Sequence, residues 1–369
     1  MLKTWKALVA ALLLPLMAVA LIACGSSSDD DSSSASTAAD TTAAAETPAA
    51  RADGIDVAKV KKDLTVGVDN PYYLFHEDII IAQEKGYFRE YGIDNVRIVE
   101  TENPLPPLIG GSLDFMLYDT DTTMAAAAKS GTTLPYLAVY LGGEANILGV
   151  GKDIKTPEDL KGKTITGGQF DSRNDFLIRQ LLRENGIDPD KDVKIVSTGG
   201  QSNERLQAVI AGTVDGASLQ LRHRKLLEDE GGQFLFERTD RVPQVGWSAS
   251  PDMAKDPDTM AAFLAATLRA RQFITDQANK DEVLSIIRDK GFDLPADYIA
   301  AYPDENNTEY HVVDGGFDPA DMDRFVDQQI ELRIIPAGTD WRDMVDLEPL
   351  WTAQRELGIP LNPDPASVR

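Results

Sequence analysis

The sequence predicts an α/β fold of two lobes, followed by a return of helices. Three observations predict it. Short apolar runs alternate with stretches of helical period from about residue 62 to residue 220. The alternation restarts after the glycine pair Gly142-Gly143, and from about Asp256 one helical pattern follows another. Strands separated by helices indicate mostly parallel sheets covered by helices, and two such units leave a cleft between them.

The chain opens with a pattern typical of an export signal. Two lysines precede an apolar run, Ala7 to Ala20, that is too short to span a bilayer as a helix. The next residues, Leu21-Ile22-Ala23-Cys24, resemble the lipobox of bacterial lipoproteins. That resemblance implies removal of residues 1–23 as a signal peptide and acylation of Cys24, for example with palmitate, which anchors the protein outside the cell membrane. The alternative is an ordinary secreted protein with a chance cysteine at the cleavage site.

Residues 24–56 are predicted to be a disordered tether. Ser, Ala, Thr and Asp dominate this stretch, and almost no apolar side chain larger than Ala occurs before Ile55. Such a segment buries too little surface to offset the entropy lost on ordering. Cys24 is the only cysteine among the 369 residues, so an internal disulfide is impossible. No later segment is apolar over the length that a membrane-spanning helix needs.

The folded part is predicted to form lobe 1 from residues 57–146 with 250–369, and lobe 2 from residues 147–249. The elements of the first unit are, in chain order, strand Leu64–Val68, helix Glu77–Tyr87, strands Val96–Glu100 and Asp114–Asp119, helix Thr122–Lys129 and strand Leu134–Leu141. The second unit contains strand Ile147–Gly151, helix Pro157–Leu160, strand Lys163–Gly167, helix Asn174–Asn185, strand Val193–Ser197, helix Asn203–Ala211 and strand Gly216–Leu219. The helical return comprises Pro257–Gln277, Lys280–Lys290, Pro295–Ala301 and Pro319–Leu332.

Six stretches of the chain, taken in order, resemble segments of the type II solute-binding proteins of ABC importers. The stretches are AQEKGYFREYGID (Ala82–Asp94), GSLDFMLYDTDT (Gly111–Thr122), IKTPEDLKGKTI (Ile154–Ile165), LLRENGIDPDKDVKIV (Leu181–Val196), RLQAVIAGTVDGASL (Arg205–Leu219) and DPDTMAAFLAATLRARQFI (Asp256–Ile274). The likeness spans about residues 62–335 and is greatest to the branch that serves sulfonates, taurine, nitrate and the pyrimidine precursor of thiamine. It implies the two-lobed type II periplasmic-binding-protein fold, with the ligand in the cleft between the lobes.

The composition and motifs argue against several other functions. The net charge is −24, with 60 acidic against 36 basic residues, which argues against binding nucleic acid through its phosphates. The three histidines, His76, His223 and His311, lie far apart and do not fit the spacing of a zinc site. Pro157 stands where a P-loop ending at Gly162 needs its first glycine, and no G-x-S-x-G occurs. We expect no enzymatic activity, no cofactor and no metal.

Ligands of open α/β sheets bind beyond the carboxyl ends of the strands, near the starts of helices. That rule indicates five loops. The first is DNPYYLFHED, which follows the first strand and contains Tyr72, Tyr73, Phe75 and His76. Exposing so many aromatic rings to water is unfavourable, because their apolar surface is then not buried. We therefore expect at least one of Tyr72, Tyr73 and His76 to contact the ligand, while others belong to the core.

The second loop ends a strand and begins a helix. Hydroxyls and backbone N–H groups converge there, and the candidate ligand-binding residues are Tyr118, Asp119, Thr120 and Thr122. The alternative is that Thr120 or Asp121 only caps the helix. The carboxylates of this loop favour a ligand that carries an amine or N–H donors.

The third loop, GGQFDSRND (Gly167–Asp175), opens a helix and so offers an anion site with partial positive charge. Ser172 and Arg173 add a hydroxyl and a forked cation that suit a sulfonate or carboxylate. The alternatives are that Asp171 caps the helix and that Arg173 pairs with Asp175 or another acid. The loop also departs from the small residues common in the family, which puts a sulfonate ligand in doubt.

The last two loops contain the remaining candidates. The fourth, SLQLRHRK, offers Gln220 and His223, although half of its charges belong to a solvated face. The fifth, VPQVGWSAS, offers Trp247, which either stacks on a planar ligand or fills the core between the lobes.

These features together predict the substrate-binding component of an ABC-type importer. We expect a monomer that captures a small organic solute between its lobes and delivers it to a membrane permease. Candidate solutes are a sulfonate, an aromatic acid and a pyrimidine-like molecule. The alternatives are a pyrimidine-synthase-like enzyme on the same fold, disfavoured because the cysteine-rich motif of those enzymes is absent, and a ligand-sensing module.

Overall fold

The computed structural model describes residues 54–68, 77–101, 103–170, 172–198, 202–291 and 311–368. The predicted signal peptide, Cys24 and most of the predicted tether lie outside the described residues, and so does the predicted helix Pro295–Ala301. The same holds for Tyr72, Tyr73 and His76. Within the described ranges, no helix combines the length and the apolar character needed to cross a membrane.

Eight strands of the described residues form one mixed sheet in the order β2-β1-β3-β8-β4-β7-β5-β6. The strands are β1 (Asp63–Val68), β2 (Asn95–Glu100), β3 (Phe115–Asp119), β4 (Tyr136–Val150), β5 (Thr164–Gly168), β6 (Lys194–Ser197), β7 (Gly216–Leu219) and β8 (Gln233–Ala249). β1 is parallel to β2 and β3, and β5 is parallel to β6 and β7. The pairs β3–β8, β4–β8 and β4–β7 are antiparallel and join the two parallel groups.

Helices cover this sheet. The α-helices of the described residues are α1 (Glu77–Glu84), α2 (Tyr87–Glu90), α3 (Leu105–Ile109), α4 (Thr120–Ser130), α5 (Arg173–Glu184), α6 (Ser202–Ile210), α7 (Arg224–Asp229), α8 (Pro257–Thr275), α9 (Lys280–Asp289), α10 (Pro319–Glu331), α11 (Glu348–Leu357) and α12 (Pro365–Val368). Short 3-10 turns occur at Pro157–Leu160, Leu221–His223, Met253–Lys255, Gln277–Asn279 and Trp341–Met344.

Strands β4 and β8 correct two predictions. The sequence predicted separate strands before and after Gly142-Gly143, but β4 continues through them over 15 residues. The stretch around Trp247 was predicted to be a loop, yet it is the end of the 17-residue strand β8. β4 and β8 pair as antiparallel strands from Tyr136 to Val150 of β4, and the pairing register shifts at four places along this length. Long-range pairing therefore overrides the weak local strand signal.

The buried apolar side chains form separate clusters. The largest cluster joins β1 and β3 to α1 and α8, where the rings of Phe115 and Phe263 stack with 4.2 Å between their centres. Two further clusters lie around Leu148 and Ile147, on opposite faces of β4, and include side chains of α5 and α6. The successive residues Ile147 and Leu148 belong to different clusters because side chains of a strand alternate between its faces. The predicted division into two lobes stays a prediction.

Candidate functional site

The candidate site lies at the carboxyl ends of the parallel strands. Val68 of β1 pairs with Leu117 of β3, so the carboxyl ends of the two strands that precede α1 and α4 lie side by side. On the other side of β4 and β8, α5 follows β5 and α6 follows β6. Asp121 of α4 and Arg173 of α5 lie 3.8 Å apart, between Oδ2 and Nη1. The starts of α4 and α5 therefore face each other.

The start of α4 is fixed by buried hydroxyls. The Thr120 Oγ1 lies 2.9 Å from the Tyr136 Oη, and both side chains are buried. Burial raises the pKa of Tyr136, so its hydroxyl stays neutral and can donate or accept. The Tyr136 ring lies directly over Gly246, where a Cβ atom would come 1.9 Å from the Tyr136 oxygen. Gly246 is thus required for this arrangement.

The other candidates of this loop lie close by. Asp119 is exposed, and its carbonyl accepts a hydrogen bond from the Thr123 Oγ1 at 2.9 Å. The Thr122 N–H and Oγ1 both donate to the Asp121 Oδ1, at 2.6 and 3.2 Å. Tyr118 is half-buried and packs against an apolar cluster that contains Leu108 and Met116. These bonds orient the Asp121 carboxylate toward α5.

The start of α5 is capped by Ser172, whose Oγ accepts the Asp175 N–H at 3.2 Å. Asp171 lies outside the described residues. The Arg173 guanidinium carbon lies 5.2 Å from the centre of the Phe325 ring, on α10. Arg173 and Asp121 keep only 16% and 13% of their side-chain surface exposed. The predicted alternative that Arg173 pairs with an acid is therefore observed, and Asp121 is that acid.

A second polar group follows β6 and β7. The Ser202 Oγ donates to the Gln220 Oε1 at 3.2 Å, and the Gln220 N–H donates to the His223 Nδ1 at 3.2 Å. Since this Nδ1 accepts, the proton of a neutral His223 lies on Nε2, which is 2.9 Å from the Asn203 Oδ1. Gln220 is exposed and His223 is buried, so His223 positions the loop while Gln220 faces solvent.

Trp247 is only 2% exposed. Its ring meets Phe263 edge-on, with 4.9 Å between the ring centres, and meets Tyr140 in the same way at 6.4 Å. These contacts lie in the largest core cluster and match the core alternative for Trp247. No ring of a ligand can stack on Trp247 unless the core opens.

Sequence reasoning missed three residues at this site. Tyr136 and Phe325 contact candidate residues from distant positions, and nothing in the local sequence indicates those contacts. Arg205 could have been found, because it lies in the first turns of α6 after β6, where the strand-end rule applies. The Arg205 Nε donates to the carbonyl of Ser218 at 2.9 Å, and burial lowers the pKa of its guanidinium.

The site therefore combines hydroxyls, a carboxylate and guanidinium groups at facing helix starts. Such groups suit a small polar solute with an acidic and a hydrogen-bond-donating part. Across the ranges that the structure describes, no cluster of His, Cys, Asp or Glu side chains could hold a metal ion.

The profile of the NMT1/THI5-like family matches residues 75–280. Two curated relatives are YtlA of Bacillus subtilis, 25% identical over 61% of this chain and 70% of YtlA, and the bicarbonate-binding protein CmpA of a Synechococcus strain. CmpA is 24% identical to this chain, and the matched region covers 58% of this chain. It covers 54% of CmpA, so the chain spans about half the length of that relative.

Two solved structures resemble about four fifths of this chain. The periplasmic aliphatic sulphonate binding protein SsuA from Escherichia coli has a TM-score of 0.56 and 20% identity, over 78% of this chain and 92% of SsuA. The desulfurization enzyme DSZB has a TM-score of 0.59 and 13% identity, and the match covers 80% of this chain and 100% of DSZB. The predicted periplasmic-binding-protein fold is confirmed.

Proposed function

The chain belongs to the NMT1/THI5-like family, and from this premise we propose that it is the substrate-binding component of an ABC-type importer. It captures a small organic solute outside the cell membrane and passes the solute to a membrane permease. The names of CmpA and SsuA, both binding proteins, support this function.

The observation that carries the proposal is the contact between Asp121 and Arg173. The two residues begin different helices, on either side of the long strands β4 and β8, and their charged ends meet at 3.8 Å. The start of a helix carries partial positive charge and N–H groups without a partner in the helix. The starts of α4 and α5 can therefore each donate hydrogen bonds to an acid group of the solute. A solute with an acid group binds Arg173 in place of Asp121, and its N–H donors bind the released Asp121 carboxylate.

Binding couples to closure in this proposal. Lobe 1 contributes α4 and lobe 2 contributes α5, with the boundaries predicted from the sequence. The closed state is stabilised by each contact that the solute makes with both helix starts. A micromolar dissociation constant corresponds to about 8 kcal/mol, which a few buried charge-assisted hydrogen bonds and the exclusion of water can supply.

The proposed location follows from the lipobox-like residues. Acyl chains on Cys24 hold the protein at the outer side of the membrane, and residues 24–56 give the folded part reach toward the permease. The protein acts as a monomer, since the solute site needs only one chain.

Solute capture requires no chemistry, and we propose that the protein is not an enzyme. The fold alone does not decide this, because DSZB shares it. The contacts of His223 support binding rather than catalysis, because its Nδ1 accepts from the backbone and its Nε2 lies against Asn203. The only cysteine, Cys24, lies in the predicted lipobox.

A thermal-shift screen of the full chain in detergent tests this function. The panel contains taurine, alkyl and aryl sulfonates, aromatic carboxylates, nitrate, bicarbonate and hydroxymethylpyrimidine. A solute at 100 times its dissociation constant stabilises the fold by about 2.7 kcal/mol. We expect one class to do so, with its mass recovered unchanged by mass spectrometry. A solute that is converted to product would instead establish an enzyme. Absence of any bound small molecule, in the panel or in cell extract, would contradict solute capture.

A further inference from the structure

Two adjacent acids at the start of α1 are almost completely buried. Glu77 is 1% exposed and Asp78 is 0% exposed. The Asp78 Oδ1 accepts the Ile79 N–H at 2.8 Å. The Glu77 Oε2 and the Asp78 Oδ2 are buried and have no hydrogen-bond partner among the residues that the structure describes. Buried carboxylates are normally paired, so this arrangement needs an explanation.

One cation faces the pair, and its hydrogen bonds are directed elsewhere. The Arg271 Nε donates to the Val312 carbonyl and its Nη2 to the Tyr140 carbonyl, both at 2.9 Å. Its guanidinium carbon also lies 3.8 Å from the centre of the Tyr140 ring. The positive charge of Arg271 thus lowers the pKa of both acids without forming an ion pair within 4 Å of either described carboxyl. When both acids are ionised, Arg271 is, among the described residues, the one cation that acts on the two carboxylates, so one negative charge remains without compensation.

The other groups that face the pair add no positive charge. The side chains of Tyr140 on β4 and Trp247 on β8 hydrogen-bond to Glu77 and Asp78, respectively, and favour their charged forms, so only one oxygen of each carboxyl is left without a partner among the described residues. Burial and the nearby Arg271 lower the pKa of His311 to about 3, so His311 is neutral near pH 7. Burial raises the pKa of Glu77 to about 8 and that of Asp78 to about 7.

The pair therefore destabilises the folded chain at neutral pH, as groups retained for function often do. Its position supports a function in binding. β1 and β3 are parallel neighbours, so the strand ends that precede α1 and α4 lie at the same edge of the sheet, and Trp247, which bonds to Asp78, pairs with Leu117 of β3. Asp121, at the start of α4, belongs to the proposed solute site.

We propose that Glu77 and Asp78 are the counter-charge for a cationic nitrogen, an ammonium or amidinium group, on the captured solute. The inference rests on the proposed function and specifies its substrate class. Both unpartnered oxygens are closed to solvent in this structure, so the N–H groups of the cation bond to them when the packing around the start of α1 opens. The start of α1 then stabilises the ionised carboxylates. Two carboxyls without a third ligand suit N–H donors better than a metal ion. With Arg173 binding the acid group, the solute is a zwitterion.

A melting experiment on the full chain tests the cation site without knowledge of the solute. The probe is methylammonium chloride at about pH 8, and the control is tetramethylammonium chloride at equal concentration, which has no N–H donor. We expect methylammonium to raise the melting temperature by about 1–2 °C more than the control does. E77Q and D78N should each abolish this difference, while E84Q, an exposed acid of the same helix, should retain it.

Several outcomes would overturn the proposal: no difference between the two cations in the unchanged protein, a difference that survives in both E77Q and D78N, or an equal rise with potassium or calcium. Gln and Asn match the replaced side chains in shape, and the melting curve itself reports whether each variant folds. A solute from the screen whose binding is lost in R173A but kept in E77Q and D78N would leave the importer function intact and contradict only the cation site.

Discussion

The Oδ2 of Asp121 and the Nη1 of Arg173 lie 3.8 Å apart and join the starts of α4 and α5. Both side chains are mostly buried, and the centre of the Phe325 ring lies 5.2 Å from the guanidinium carbon. At this separation the pair is an electrostatic contact rather than a tight hydrogen bond. In the proposed function, a ligand acid group that forms a forked pair with Arg173 replaces this looser contact with Asp121.

Removing the guanidinium should weaken solute binding. In R173A we expect the dissociation constant of the screened solute to rise by roughly 10- to 100-fold, because charge-assisted hydrogen bonds contribute about 1.5–3 kcal/mol each. Isothermal titration calorimetry measures this change. R183A, on the same helix but half-exposed, is the matched control and should bind normally. Equal binding by R173A and R183A would remove Arg173 from the site.

The start of α5 depends on Gly167. A Cβ atom there would lie 2.5 Å from the Asp175 Cα and 2.7 Å from the Asn174 carbonyl oxygen, both backbone atoms. We expect G167A to push α5 away from β5, to lower stability by about 1–3 kcal/mol and to weaken solute binding. Denaturant unfolding and calorimetry measure the two effects.

Gly151 provides the control for that variant. A Cβ atom at Gly151 would meet its neighbours at 3.7 Å or more, which is ordinary contact. G151A should therefore fold and bind like the unchanged protein. If G167A also behaves in this way, the close packing of β5 on α5 does not position Arg173.

The buried acids should give stability a characteristic pH dependence. Their pKa values are raised in the folded chain from 4.5 to about 8 for Glu77 and from 3.8 to about 7 for Asp78, chiefly by burial. Between about pH 4 and pH 8 the folded chain therefore binds more protons than the unfolded chain. The contribution of the pair to the free energy of unfolding is greatest below this window and falls as the pH rises through it.

E77Q removes one of the two carboxyls whose pKa is raised. We expect the variant to match the unchanged protein near pH 4 and to be more stable than it near pH 8, by about 1–3 kcal/mol. Thermal melts across this range, followed by circular dichroism, check the difference. A constant offset at every pH would mean that Glu77 does not titrate between these limits.

The lipobox prediction has a direct test. In C24S, no thiol is available for acylation, so the protein should move from the membrane fraction to the soluble fraction of the cell envelope. Intact-mass measurement should show the loss of the lipid. A protein that partitions into detergent equally with and without Cys24 would contradict the predicted anchor.

Much of the fold was predictable because its elements carry local signals. The apolar period and the Asp256–Pro257 start define α8, and most residues of β1 are apolar. β8 was not predictable in the same way. Charged residues such as Arg238 and Asp240 interrupt its pattern, and only pairing with β4 makes it a strand.

The candidate site was predictable in its loops but not in its contacts. The strand-end rule located the starts of α4 and α5, including Arg173 and Ser172. Which acid Arg173 meets depends on how the sheet places α4 against α5, and the sequence near Arg173 does not contain that information. Glu77 and Asp78 were predicted only as the first residues of a helix, since their burial cannot be recognised from the sequence of two residues.

The long antiparallel pair of β4 and β8 bears on how fast a captured molecule is released. The register shifts lie mainly between Tyr136 and Gly143, so this end of the ribbon is less regular than the following stretch from Gly143 to Leu148. In the proposed function, release of the solute requires this strand pair to change shape, and bulged positions already carry a local bend and extra twist. The irregular stretch is therefore where we expect the pair to deform. Substitutions that stiffen the irregular stretch could slow unloading while the solute-binding side chains stay unchanged.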